Sequence, residues 1–81
     1  MPDYVLAKQK LLEIKQASIE AEASRQAASD AVDAAEVARD QGDEAAAHAL
    51  DLQAIELLKV CEAKLKRARE ASETARAALG E

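Results

Sequence analysis

Aromatic residues are all but missing from this chain. Tyr4 is the only one among 81 residues, and there is no phenylalanine or tryptophan. The basic run Lys64-Leu65-Lys66-Arg67-Ala68-Arg69 therefore has no aromatic interleaving, and a net charge of −5 opposes nucleic acid and anionic membrane surfaces as partners. Glycine occurs twice, at Gly42 and Gly80, and proline once, at Pro2. No glycine-rich phosphate loop can be built from that supply. Cys61 stands alone, so no intrachain disulfide forms, and a single helical thiol reads as a small buried hydrophobe in a reducing, cytosol-like setting. His48 also stands alone. Glu44 and Asp51 can share its helix face, but no second histidine or cysteine stands at ligand spacing, so no metal is expected. No apolar run approaches the roughly 20 residues that cross a bilayer, and the N-terminus lacks a charged-then-apolar leader. No Ser/His/Asp arrangement has a supporting loop, and the paired acids have no dry pocket to shift their pKa values. Neither catalysis, a cofactor nor a small-molecule ligand is expected.

What the chain does have is alanine and the other strong helix formers. Leucine, glutamate, lysine, glutamine and arginine fill most of the remaining positions. The punctuation sits near the midpoint, in Arg39-Asp40-Gln41-Gly42-Asp43-Glu44-Ala45. Gly42 can take the left-handed conformation that ends a helix, and the Asp43 carboxylate can cap the next one. So short a connection joins antiparallel neighbours. The expected fold is all-α: one domain over residues 1–81, with a helix over about 3–41, a turn at Gly42 and Asp43, and a helix over about 44–79. Pro2 and Asp3 form the first helix start, and Gly80 closes the second. Ser29 or Asp30 could cap a new helix near Val32, but no glycine or proline forces a break there.

Steps of three and four pick out a heptad seam on each helix. On the first it runs Tyr4, Ala7, Leu11, Ile14, Ser18, Ala21, Arg25, Ala28, Val32 and Ala35, with Val5, Leu12 and Ile19 as a second line beside it. On the second it runs Ala47, Leu50, Ala54, Leu57, Cys61, Lys64, Ala68, Ala71, Ala75 and Ala78, widened by Ile55, Leu58 and Leu65. Folding at Gly42 brings Leu12 and Ile19 to the region of Ala68, Ala71 and Ala75. It brings Leu50, Leu57 and Leu58 to Ala27, Ala28, Ala31 and Ala35. Large side chains would then face small ones, with Cys61 buried beside Leu57 and Leu65.

Charge is sorted along the hairpin. Residues 20–56 hold ten acidic residues against Arg25 and Arg39, a net −8, whereas residues 1–19 carry +1 and residues 57–81 carry +2. The turn end is acidic and the end with the termini mildly basic. Solvated faces explain this, and so does a second copy packed in the opposite direction.

Gln41-Gly42-Asp43, Ala47, Ala54 and Ile55-Glu56-Leu57 resemble the turn and second helix of a tetratricopeptide repeat. Ala38 and Asp51 fill that repeat's aromatic positions, and its closing proline is absent. The resemblance implies a close helix–turn–helix contact and not a peptide-binding solenoid, which needs several repeats. The chain as a whole resembles computationally designed helical hairpins that self-assemble: helices of equal length, one glycine–aspartate turn and capped ends.

Chains under roughly 70–80 residues seldom gain more than about 3–5 kcal/mol from their own core. The expectation is a structural self-assembly module, a homo-oligomer that completes a helical bundle through Val5, Leu12, Ile19, Ile55, Leu58 and Leu65. A two-fold antiparallel dimer is the smallest solution. The alternative is an interaction hairpin that offers the same stripe to a helix of another protein.

Overall fold

The computed structural model describes residues 1–80. Glu81, the last residue of the expected domain, lies outside the described residues. Two helices account for nearly all of it, α1 (Tyr4–Asp40) and α2 (Glu44–Ala78), packed antiparallel along their whole length. α1 runs unbroken through Ser29 and Asp30. Ser29 caps nothing there; Asp30 accepts from Gln26 Nε2 at 3.0 Å, one turn back along the same helix.

Each helix starts on an aspartate. Asp3 accepts from the Leu6 amide at 3.0 Å and Asp43 from the Ala46 amide at 3.1 Å. Each satisfies one of the free donors of a first turn. Between the helices Gly42 adopts φ +78°, a conformation that costs an L side chain. The Gly42 amide donates to the Arg39 carbonyl at 2.9 Å and the Asp43 amide to the Ala38 carbonyl at 2.8 Å. These are the two crossing bonds of a Schellman termination. Asp43 thus ends one helix with its backbone and begins the next with its side chain. At the other end Gly80 takes φ +84° and donates to Ala77 at 3.0 Å.

The hairpin measures 64 × 13 × 13 Å across its Cα atoms. A flat pair of helices would be thinner in one direction, so equal short extents mean that the helices wind round each other. Their seven-residue pattern gives that winding a left hand. Allowing about 2.3 Å for the Cα radius on each side leaves about 8 Å between axes, the close end of the usual range.

Only small side chains are fully enclosed in so narrow a gap. The buried residues are Ala7, Ala17, Ala21, Ala28, Ala31, Ala35 and Ala38 on α1, with Ala47, Ala54, Cys61, Ala68, Ala71 and Ala75 on α2. Lys10, Ile14, Ser24, Leu50, Leu57, Lys64 and Ala78 are half-buried and complete the same rows. The α2 seam is the one expected from sequence, and Cys61 is buried in it.

The α1 seam differs from the expected one in every second position. Ala7, Ile14, Ala21, Ala28 and Ala35 belong to it, but Tyr4, Leu11, Ser18, Arg25 and Val32 are exposed; Lys10, Ala17, Ser24, Ala31 and Ala38 take their place. At about 8 Å between axes the positions that are fully buried hold alanine or cysteine, while Ile14, Leu50 and Leu57 in the same seam stay half-buried and Leu11 and Val32 lie outside it. Leu12 and Ile19 likewise do not reach Ala68, Ala71 or Ala75, being 59% and 55% exposed. Leu50 does pack on Ala35, Ala38 and Ala47.

Candidate assembly surface

Both helices obey one rule counted from their caps. The fourth residue after Asp3 is buried Ala7, the fourth after Asp43 is buried Ala47, and the seams run on from there in step. Residue positions in α1 and α2 are thereby related by an approximate two-fold axis across the hairpin. It leaves two long flanks between the helices and a back on each.

One flank consists of the residues just before the first seam position of each heptad. Here Glu20 meets Lys64 at 3.4 Å and Arg67 at 3.6 Å, and Glu13 meets Arg67 at 3.8 Å. Glu20 Oε2 is covered and makes no hydrogen bond; Arg67 lies 3.6 Å from it, while Lys64 donates to Oε1 of the same carboxylate at 3.4 Å. Such half-exposed pairs contribute about 0–1 kcal/mol each, but they hold charge over this flank.

The other flank consists of the residues just after the second seam position. On α1 these are Tyr4, Leu11, Ser18, Arg25, Val32 and Arg39; on α2 they are Glu44, Asp51, Leu58, Leu65, Ser72 and Leu79. Its turn end is polar: Arg39 bonds Asp51 and lies 3.9 Å from Glu44. The hydrogen bond with Asp51 holds the Arg39 pKa above its ordinary value. At mid-length Arg25 binds Glu22 through Nη2 at 2.5 Å and Nε at 3.0 Å, and those hydrogen bonds hold the Glu22 carboxyl below the ordinary glutamate value. Tyr4, Leu11, Val32, Leu58, Leu65 and Leu79 are all exposed on this flank.

The six residues expected to form the oligomer interface are between 45% and 71% exposed. They do not share one face. Leu58 and Leu65 lie on the second flank, and Ile55 is at its edge, one residue after Ala54. Val5, Leu12 and Ile19 lie two residues past the seam, which at about 100° per residue puts them on the back of α1. Their row continues as Gln26, Asp33 and Asp40, so that back is apolar only in its N-terminal half. The α1 residues that do join Leu58 and Leu65 are Tyr4, Leu11 and Val32. The cap count, four residues from Asp3 as from Asp43, is the sequence signal that would have placed them.

Gly42 and Asp43 form the turn as expected. His48 is exposed, and Asp51, one of the two acids at its helical spacing, is held by Arg39. Among the described residues no group of three His, Cys, Asp or Glu side chains converges, no cleft opens, and no helix is long and apolar enough to cross a membrane. No known protein family, curated protein or solved structure matches the chain.

Proposed function

We propose that this hairpin is a structural self-assembly module whose folded unit is a homo-oligomeric helical bundle. One observation carries the proposal: the core is built from alanine and Cys61, while the large apolar side chains are half-buried at best. Burying a methyl group is worth about 0.8 kcal/mol, against about 1.5–3 kcal/mol for a valine or leucine side chain. Most of the chain's apolar free energy is therefore unspent in the single hairpin. A second copy covers part of that surface, which as a whole includes Val5, Leu12 and Ile19 on the back of α1 and Ile55, Leu58 and Leu65 along α2. Opposed directions suit the charges, setting the −8 turn half of one copy against the basic end of the other.

The regular seam and paired aspartate caps also favour an artificial origin, in line with the resemblance to designed hairpins. Sedimentation equilibrium tests the assembly. Leu58→Lys with Leu65→Lys is expected to turn a helical oligomer into a weakly helical monomer. A double variant that remains oligomeric and fully helical would place the contact elsewhere.

A further inference from the structure

We infer that the second copy seats on one flank only, the one bearing Leu11, Val32, Leu58 and Leu65, in an antiparallel two-fold dimer; this rests on the self-assembly reading above. Each row of that flank can be turned end for end upon itself. The α1 row then pairs Leu11 with Val32 of the partner subunit, Ser18 with the partner's Arg25, and Tyr4 with the partner's Arg39. These are an apolar contact, a polar one and a cation over an aromatic face. The next row outward, Lys8, Lys15, Glu22, Ser29 and Glu36, pairs Lys8 with Glu36 of the partner subunit. Near the axis two copies of Glu22 meet, each already bonded to its own Arg25.

The α2 row pairs Leu58 with the partner's Leu65 and Leu65 with the partner's Leu58. It also sets Asp51 against Ser72 of the partner subunit and, less favourably, Glu44 against the partner's Leu79, with Ile55 against the partner's Arg69 in the row outward. A two-fold axis must serve both helices at one height. The inversion centre of the α1 row falls between Ala21 and Glu22, and that of the α2 row between Cys61 and Glu62. The Glu20–Lys64 contact at 3.4 Å brings those two heights together. One axis can therefore serve both rows, as the near-equal lengths of the two antiparallel helices allow.

The competing faces bring fewer large apolar side chains together. The opposite flank is occupied by the Glu13, Glu20, Lys64 and Arg67 charges. The back of α1 inverts Val5, Leu12 and Ile19 onto Asp40, Asp33 and Gln26. The Cα extents of 64 Å by 13 Å bound the footprint at roughly 800 Å² per copy, which is the size of a standard stable interface.

Disulfide trapping decides it. In a Cys61→Ala background, Leu11→Cys with Val32→Cys is oxidised beside a control, Leu12→Cys with Asp33→Cys, taken from the back of α1. Residues 11 and 32 lie about 31 Å apart on one helix, so any bond between them joins two chains. A covalent dimer from the first pair and none from the control is expected. Sedimentation of the chain with Leu11 and Val32 in place separates the failures, because the cysteine pair itself removes two of the apolar contacts. A dimer that traps through the control, or through neither pair, overturns this flank and leaves self-assembly standing. A folded monomer overturns both.

Discussion

The Asp3 amide donates to the Ala78 carbonyl at 2.7 Å, and this bond repeats at the open end what the Asp43 amide makes to Ala38 at 2.8 Å in the turn. The open end of the hairpin is thus closed by the same hydrogen bond as the covalent end. Both aspartates also cap the N-terminus of a helix. Asp3→Ala and Asp43→Ala are each expected to cost about 1 kcal/mol, read by urea denaturation. If Asp3→Ala costs nothing while Asp43→Ala does, the Asp3 side chain does not cap α1 as Asp43 caps α2.

Gly42 has open space where a Cβ would stand, so any penalty for a side chain there comes from backbone conformation alone. At φ +78° a β-branched residue is strained, and Gly42→Val is expected to lose more than about 1 kcal/mol. Gly42→Asn, which tolerates the left-handed region, is expected to lose less. An unchanged melting temperature for the valine variant would contradict the turn geometry.

Ala17 and Ser18 separate the two phases of the α1 seam. Ala17 is fully buried and Ser18 is exposed. Ala17→Leu is expected to destabilise by about 1–3 kcal/mol through overpacking, whereas Ser18→Leu is expected to be neutral in the hairpin. The reverse order in thermal denaturation would restore the seam through Leu11 and Val32.

That pair of residues also marks where sequence reading stopped. The helices, the turn, both aspartate caps and the α2 seam were legible, because glycine, aspartate and a clean three–four spacing each have one local meaning. The α1 phase was not. Leu11 and Val32 outweigh Ala17 and Ala31 in apolar area, and size normally marks a core. Here the axial separation selects for smallness, and that separation is a property of the pair of helices, not of either one. Ser18 and Arg25 in the expected seam were the sign that it was wrong. The division of Val5, Leu12 and Ile19 from Leu58 and Leu65 follows from the same phase, so it too was hidden.

Acid is expected to weaken α1 through Glu22. Its carboxyl lies below the ordinary glutamate value because Arg25 hydrogen-bonds the charged form. A depressed pKa contributes stability above the unfolded value and loses it as pH falls through the folded one. The loss therefore falls on the acid side of the ordinary glutamate range. Glu22→Gln is expected to flatten the fall of melting temperature with acidification. Parallel curves for parent and variant would show that the pair adds nothing in solution, as is common for exposed ion pairs.

Sedimentation equilibrium of the unmodified chain over a wide concentration range, with helix content followed by circular dichroism, tests self-association most directly. A dimer or larger closed oligomer is expected, with helicity falling as dilution releases the hairpin. Added salt is expected to shift the equilibrium only modestly, since rim charges are screened within about 10 Å at 0.1 M. A fully helical monomer that stays monomeric at the highest concentration, with Leu58 and Leu65 left in water, would contradict it.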